Sequence, residues 1–98
     1  MKIDFIKVED VLKVNLDGRL DTTTAPDFED FINANYQSAK AMEIDCEKLS
    51  YVSSAGLRVL LAAQKKMQQV GTMKLKNVCE NVMEVFEMTG FADILVIE

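Results

Sequence analysis

Two adjacent hydroxyls, Ser53 and Ser54, stand just ahead of the small pair Ala55-Gly56 and an apolar run with helical spacing, Leu57, Leu60 and Leu61. A helix cap needs one hydroxyl; the second is available for something else. Glycine in a first helical turn costs about 1 kcal/mol relative to alanine, yet it strips bulk from the helix end and leaves the serines open to a visitor. Neither serine has a base to activate it, because the chain has no histidine and no lysine lies nearby in sequence. An accessible but unactivated hydroxyl suits the substrate of another protein's kinase. The structural alternative is a cap with close helix packing.

The rest of the inventory is exclusionary. With no histidine, Ser-His-Asp and Cys-His catalysis are impossible, as is a His-ligated zinc site. Cys46 and Cys79 form no CxxC pair and read as small buried hydrophobes. Neither GxxxxGK[ST] nor GxGxxG occurs, so no phosphate-cradling loop is expected. The chain is therefore not expected to be an enzyme, and no cofactor or metal is expected. The methionines, Met67, Met83 and Met88 among them, read as core filler.

The elements that must position Ser53 and Ser54 are legible from periodicity. Ile3 and Phe5, then Leu12, Val14 and Leu16, alternate with polar residues, which predicts two strands in an antiparallel hairpin, the second ended by Gly18. Asp21 to Asp27 reads as a helix start, with Thr24 as cap and Pro26 in the first turn. That helix should run to about Ser38, burying Phe28, Phe31 and Ile32. Met42, Ile44 and Cys46 mark a third strand. A helix is predicted from Ser54 to Gln69, its stripe interrupted by Gln64 and its end set by a left-handed Gly71. Met73 and Leu75 give a fourth strand, Val82 to Phe86 a short helix closed by Gly90, and Ile94–Ile97 a terminal strand. The order is ββαβαβαβ: an α/β sandwich with a mixed four- to five-stranded sheet, helices mainly on one face, and residues 1–98 as a single domain.

Charge narrows the partners. The net charge is −5, and residues 1–50 hold six Lys/Arg against eleven Asp/Glu, so the whole excess lies in the first half. Such a surface repels nucleic acid and anionic lipid. No apolar run approaches membrane-spanning length, and Met1-Lys2-Ile3-Asp4 lacks a signal peptide's apolar stretch, so a cytoplasmic location is expected.

The run Tyr51-Val52-Ser53-Ser54-Ala55-Gly56-Leu57-Arg58-Val59-Leu60-Leu61 resembles the signature of STAS domains, and more narrowly that of stand-alone bacterial anti-sigma factor antagonists. Gly18-Arg19-Leu20-Asp21, Lys74–Val78 and Met88-Thr89-Gly90-Phe91 extend the likeness along the chain. The resemblance implies partner switching. An anti-sigma factor with serine kinase activity binds the unphosphorylated form, freeing the sigma factor for transcription; it then phosphorylates a residue at the start of this helix and is released. A PP2C-type phosphatase resets the cycle. Family members often read Asp-Ser-Ser-Gly or Asp-Ser-Thr-Gly here, and alignment on Gly56 puts Ser53 at the aspartate, Ser54 at the first hydroxyl and Ala55 at the second. The resemblance therefore assigns phosphorylation to Ser54, with Ser53 the second choice, and partner binding to Asp21, Thr22, Ser53, Ser54, Gly56 and Arg58. Asp21 serves equally as a helix-start residue, and Arg58 is either a partner contact or solvated. The departure at Ala55 keeps open an unphosphorylated STAS scaffold or ligand-sensing module.

Overall fold

A computed structural model describes residues 1–98. Period-2 alternation does what the sequence leads one to expect: Leu12, Val14 and Leu16 are buried, while Lys13, Asn15 and Asp17 face solvent. The strands are β1 (Lys2–Val8), β2 (Val11–Leu20), β3 (Ala41–Val52) and β4 (Thr72–Lys76). They lie in spatial order β1-β2-β3-β4. β1 and β2 form the antiparallel hairpin, with Val8 opposite Val11; β2–β3 and β3–β4 are parallel, as helical crossovers require. The helices are α1 (Ala25–Asn35), α2 (Ser54–Val70) and α3 (Glu80–Thr89). The structure is the α/β, one-face-covered mixed sheet that the element order predicts.

The core lies between sheet and helices. Phe28 and Ile32 of α1, Leu57, Leu60 and Met67 of α2, and Val82 and Phe86 of α3 pack on Met42, Ile44, Cys46 and Leu75. Cys46 is fully buried, and that burial, with Asp45 next to it, pushes its thiol pKa up to about 12. Phe31 is only half-buried, its ring edge-on to Phe5 of β1 with centroids 5.0 Å apart.

Four expectations are corrected. Gly18 does not end the second strand: at φ +117° it sits in a register shift, and β2 continues to Leu20. Thr24 is N-cap by position but makes no cap hydrogen bond, because its hydroxyl oxygen accepts from Asp21 N–H and donates to Arg19 O instead. Gly71 is extended at φ 171° rather than left-handed; glycine is required because a Cβ there would lie 1.7 Å from Lys40 O. The terminal run forms no full strand: Phe91–Asp93 coils into a 3-10 turn, and only Ile97 bridges Leu75, so the sheet has four strands and the order ββαβαβα.

Candidate functional site

The C-terminal ends of β2 and β3 carry the predicted residues, and a single backbone contact joins them. Ser53 N–H donates to Leu20 O at 2.9 Å, which brings the loop after β2 against the start of α2. Gly56 makes this closeness possible. A Cβ at that position would stand 2.7 Å from both Leu20 Cγ and Leu20 O.

The two serines divide the work. Ser53 is the N-cap of α2, and its hydroxyl accepts from Gly56 N–H at 3.3 Å. Ser54 is the first helical residue, exposed, and its hydroxyl makes no hydrogen bond within the protein. Ala55 adds only a methyl beside it. Arg58, one turn on, is exposed and forms no ion pair.

Across from the serines, Asp21 organises its own loop. Its Oδ1 accepts from the backbone N–H groups of Thr23 and Thr24 at 3.0 and 3.1 Å, while Asp21 N–H donates to Thr24 Oγ1 at 2.9 Å. The backbone bond from Thr24 lowers the carboxyl's pKa most; desolvation opposes it, and the Thr23 backbone bond, the Thr24 hydroxyl and the Arg19 guanidinium add to the lowering, so the carboxyl stays below its usual value. Thr22 is exposed at the tip of this loop. Asp21, Thr22, Ser53, Ser54 and Gly56 thus share one end of the sheet, with Arg58 projecting from the same helix end.

Sequence reasoning missed one pair there. Arg19 lies over the Tyr51 ring, 4.2 Å from its centroid, and its Nε is 3.8 Å from Asp21 Oδ2. The parallel register of β2 and β3 sets Arg19 opposite Tyr51, but two register shifts precede that pairing, so counting alternation along either strand does not find it.

Neither serine hydroxyl is hydrogen-bonded to a base, and no cluster of three or more metal-ligating side chains is present. It offers one free hydroxyl on a rigid helix end, flanked by an ordered acidic loop and an exposed cation–aromatic pair.

Comparison with known proteins agrees with this fold. BtrV of Bordetella bronchiseptica is 34% identical over 96 residues, covering 96% of this chain and 83% of its own. The anti-sigma-B factor antagonist of Bacillus subtilis is 29% identical over 97% of this chain and 88% of its own. Among solved structures, the anti-sigma factor antagonist SpoIIAA of Bacillus superposes in its unphosphorylated form with a TM-score of 0.77, at 19% identity over 99% of this chain and 87% of its own. Its phosphorylated form matches with the same TM-score of 0.77, at 18% identity over 99% of this chain and 91% of its own. The STAS domain family matches residues 2–98, from the edge strand through the serine-bearing helix to the last residue. The chain belongs to the STAS domain family.

Proposed function

We propose that the protein is an anti-sigma factor antagonist of the SpoIIAA type, a non-enzymatic cytoplasmic regulator. Unphosphorylated, it binds an anti-sigma factor with serine kinase activity and so frees a sigma factor. Phosphorylation of Ser54 releases it, and a PP2C-type phosphatase restores binding. One observation carries the reading: of the two serines, Ser53 is consumed as a cap, whereas the Ser54 hydroxyl is exposed and unbonded. The antagonists of this family named above, and SpoIIAA's having both an unphosphorylated and a phosphorylated form, support it.

Magnitudes favour release rather than unfolding. A phosphoryl group on Ser54 adds roughly −1.5 to −2 charges at the positive end of α2, which the folded monomer tolerates or gains from by about 0.3–1 kcal/mol. In an interface the same group is bulky and hard to desolvate. Moving a partner from nearly all bound to nearly all free takes about 5.5 kcal/mol, a sum within reach of like-charge repulsion plus a steric clash.

The test is incubation with a kinase-type anti-sigma factor and ATP, read by intact mass and site mapping. One phosphate on Ser54, absent in Ser54→Ala, is expected, while Ser54→Ala still binds the partner in titration calorimetry. Undiminished phosphorylation of Ser54→Ala moves the site to Ser53 or a threonine. Binding with no phosphorylation of the native chain favours the scaffold reading that Ala55 leaves open.

A further inference from the structure

Ser54 carries the switch in the function proposed above, on which this inference rests, and the same helix holds a cation placed to answer it. The chain has two arginines, Arg19 and Arg58. Arg19 is committed, lying over the Tyr51 ring and beside Asp21. Arg58 is exposed and belongs to no ion pair and no cation–aromatic contact.

Ser54 and Arg58 stand four residues apart in α2, so their Cβ atoms lie about 5–6 Å apart on one face of the helix. Helical side chains lean toward the N-terminus. The second member of such a pair is therefore the one that covers the first, and here the second member is the long one. The remaining helix neighbours of Arg58, at three and four residues' distance, are Ala55, Leu61 and Ala62, none with a side-chain acceptor. Ala55, where the family often has a second hydroxyl, thus leaves Ser54 as the only acceptor within reach along the helix. A neutral serine hydroxyl attracts a guanidinium weakly. A phosphoryl group brings roughly −1.5 to −2 charges and three acceptor oxygens, two of which match the planar N–H fork of arginine.

We propose that Arg58 is the intramolecular counter-ion of phosphorylated Ser54, its guanidinium donating to two phosphate oxygens across one turn of α2. The pair holds the phosphoryl group against the helix instead of letting it swing in solvent. It also takes the uncommitted arginine away from the surface that meets a partner. One modification then adds an anion there and removes a cation.

The test places phosphoserine at position 54 during translation of the full chain, so it needs no kinase. Failure of a kinase to modify Ser54 would overturn the function proposed above, whereas this measurement reads the pair by itself. Phosphorus-31 NMR follows the second ionisation of the phosphate, ordinarily near about pH 6. Pairing favours the dianion. The chain with native Arg58 should therefore titrate at least about 0.3 pH unit below Arg58→Gln, about a twofold difference in proton affinity. Arg58→Lys, a point charge without the fork, should fall between them. Lys65→Gln removes the same charge from another exposed position of α2 and should leave the midpoint where it was. Equal midpoints with Arg58 and with Arg58→Gln overturn the proposal. So does an equal rise in Lys65→Gln, which would make the effect one of net charge and not of contact. A midpoint in Arg58→Lys that matches native Arg58 overturns the two-oxygen geometry.

Discussion

Gly56 and Gln64 both sit on the buried side of α2, and each breaks a local preference. Alanine would suit a helix better than Gly56 by about 1 kcal/mol. Its Cβ, however, would meet Leu20 O, a backbone atom, at 2.7 Å. The chain cannot yield there without disturbing the Ser53–Leu20 hydrogen bond, so overpacking wins and Gly56→Ala should destabilise by about 1–3 kcal/mol in urea unfolding. Gln64→Met works the other way. Removing a buried amide whose Oε1 has no hydrogen-bond partner should raise stability by about 1–3 kcal/mol, seen as a higher urea midpoint with an unchanged slope. Asp21 adds a pH signature. Its carboxyl is held below the ordinary value of 3.8, first by the Thr24 backbone N–H, so its contribution is present above that value and is lost as pH falls through the lower folded one. Asp21→Asn should therefore lower stability at neutral pH and converge on the native chain as pH falls below 3.8, which flattens the acid limb of the profile. Carboxyl NMR titration of the native chain reports the same group directly.

Among the elements, α2 joins both ends of the molecule, and its two neighbouring leucines are not equivalent. Leu60 is fully buried, whereas Leu61 is half-exposed on the helix flank. Leu60→Ala should cost about 2–5 kcal/mol, and Leu61→Ala distinctly less; equal losses in denaturant unfolding would contradict this packing. Helical spacing alone treats the two alike, because a stripe wider than one residue does not say where its edge falls. β2, β3, α2 and α3 were legible because their apolar residues recur at a clear period of 2 or 3.6, broken in α2 only at Gln64, and Gly90 adopts the left-handed cap conformation that its place predicts. Gly71 was found but misread, since the close approach of Lys40 is tertiary and invisible in sequence. The Ile94–Ile97 run carries the apolar content of a strand, yet the 3-10 turn before it leaves little chain to align with the five-residue β4. Ser53 and Ser54 could be named from their types alone, but which one caps depended on the helix boundary. Arg19 over Tyr51 needed a register that bulges conceal.

At the scale of the whole molecule, the helices cover one face of the sheet, and the serine-bearing helix end lies at one pole. Phosphorylation at Ser54 adds charge outside the core, so the phosphorylated protein should melt within a few degrees of the unmodified one. A loss of more than about 10 °C would mean that the group reaches packed structure. Cys46 gives the same molecule a chemical clock. Deep under the helices, with a thiol pKa near 12, it presents neither access nor thiolate to an alkylating reagent, whereas Cys79 is only half-buried. Iodoacetamide should take Cys79 first and reach Cys46 only through global opening. Leu60→Ala should then speed Cys46 capture by about 30-fold or more while leaving Cys79 nearly as before. Capture of both thiols at one rate would show that this side of the sheet opens locally. The buried thiol thus records, in a mass spectrum of the native protein, how often the entire fold comes apart.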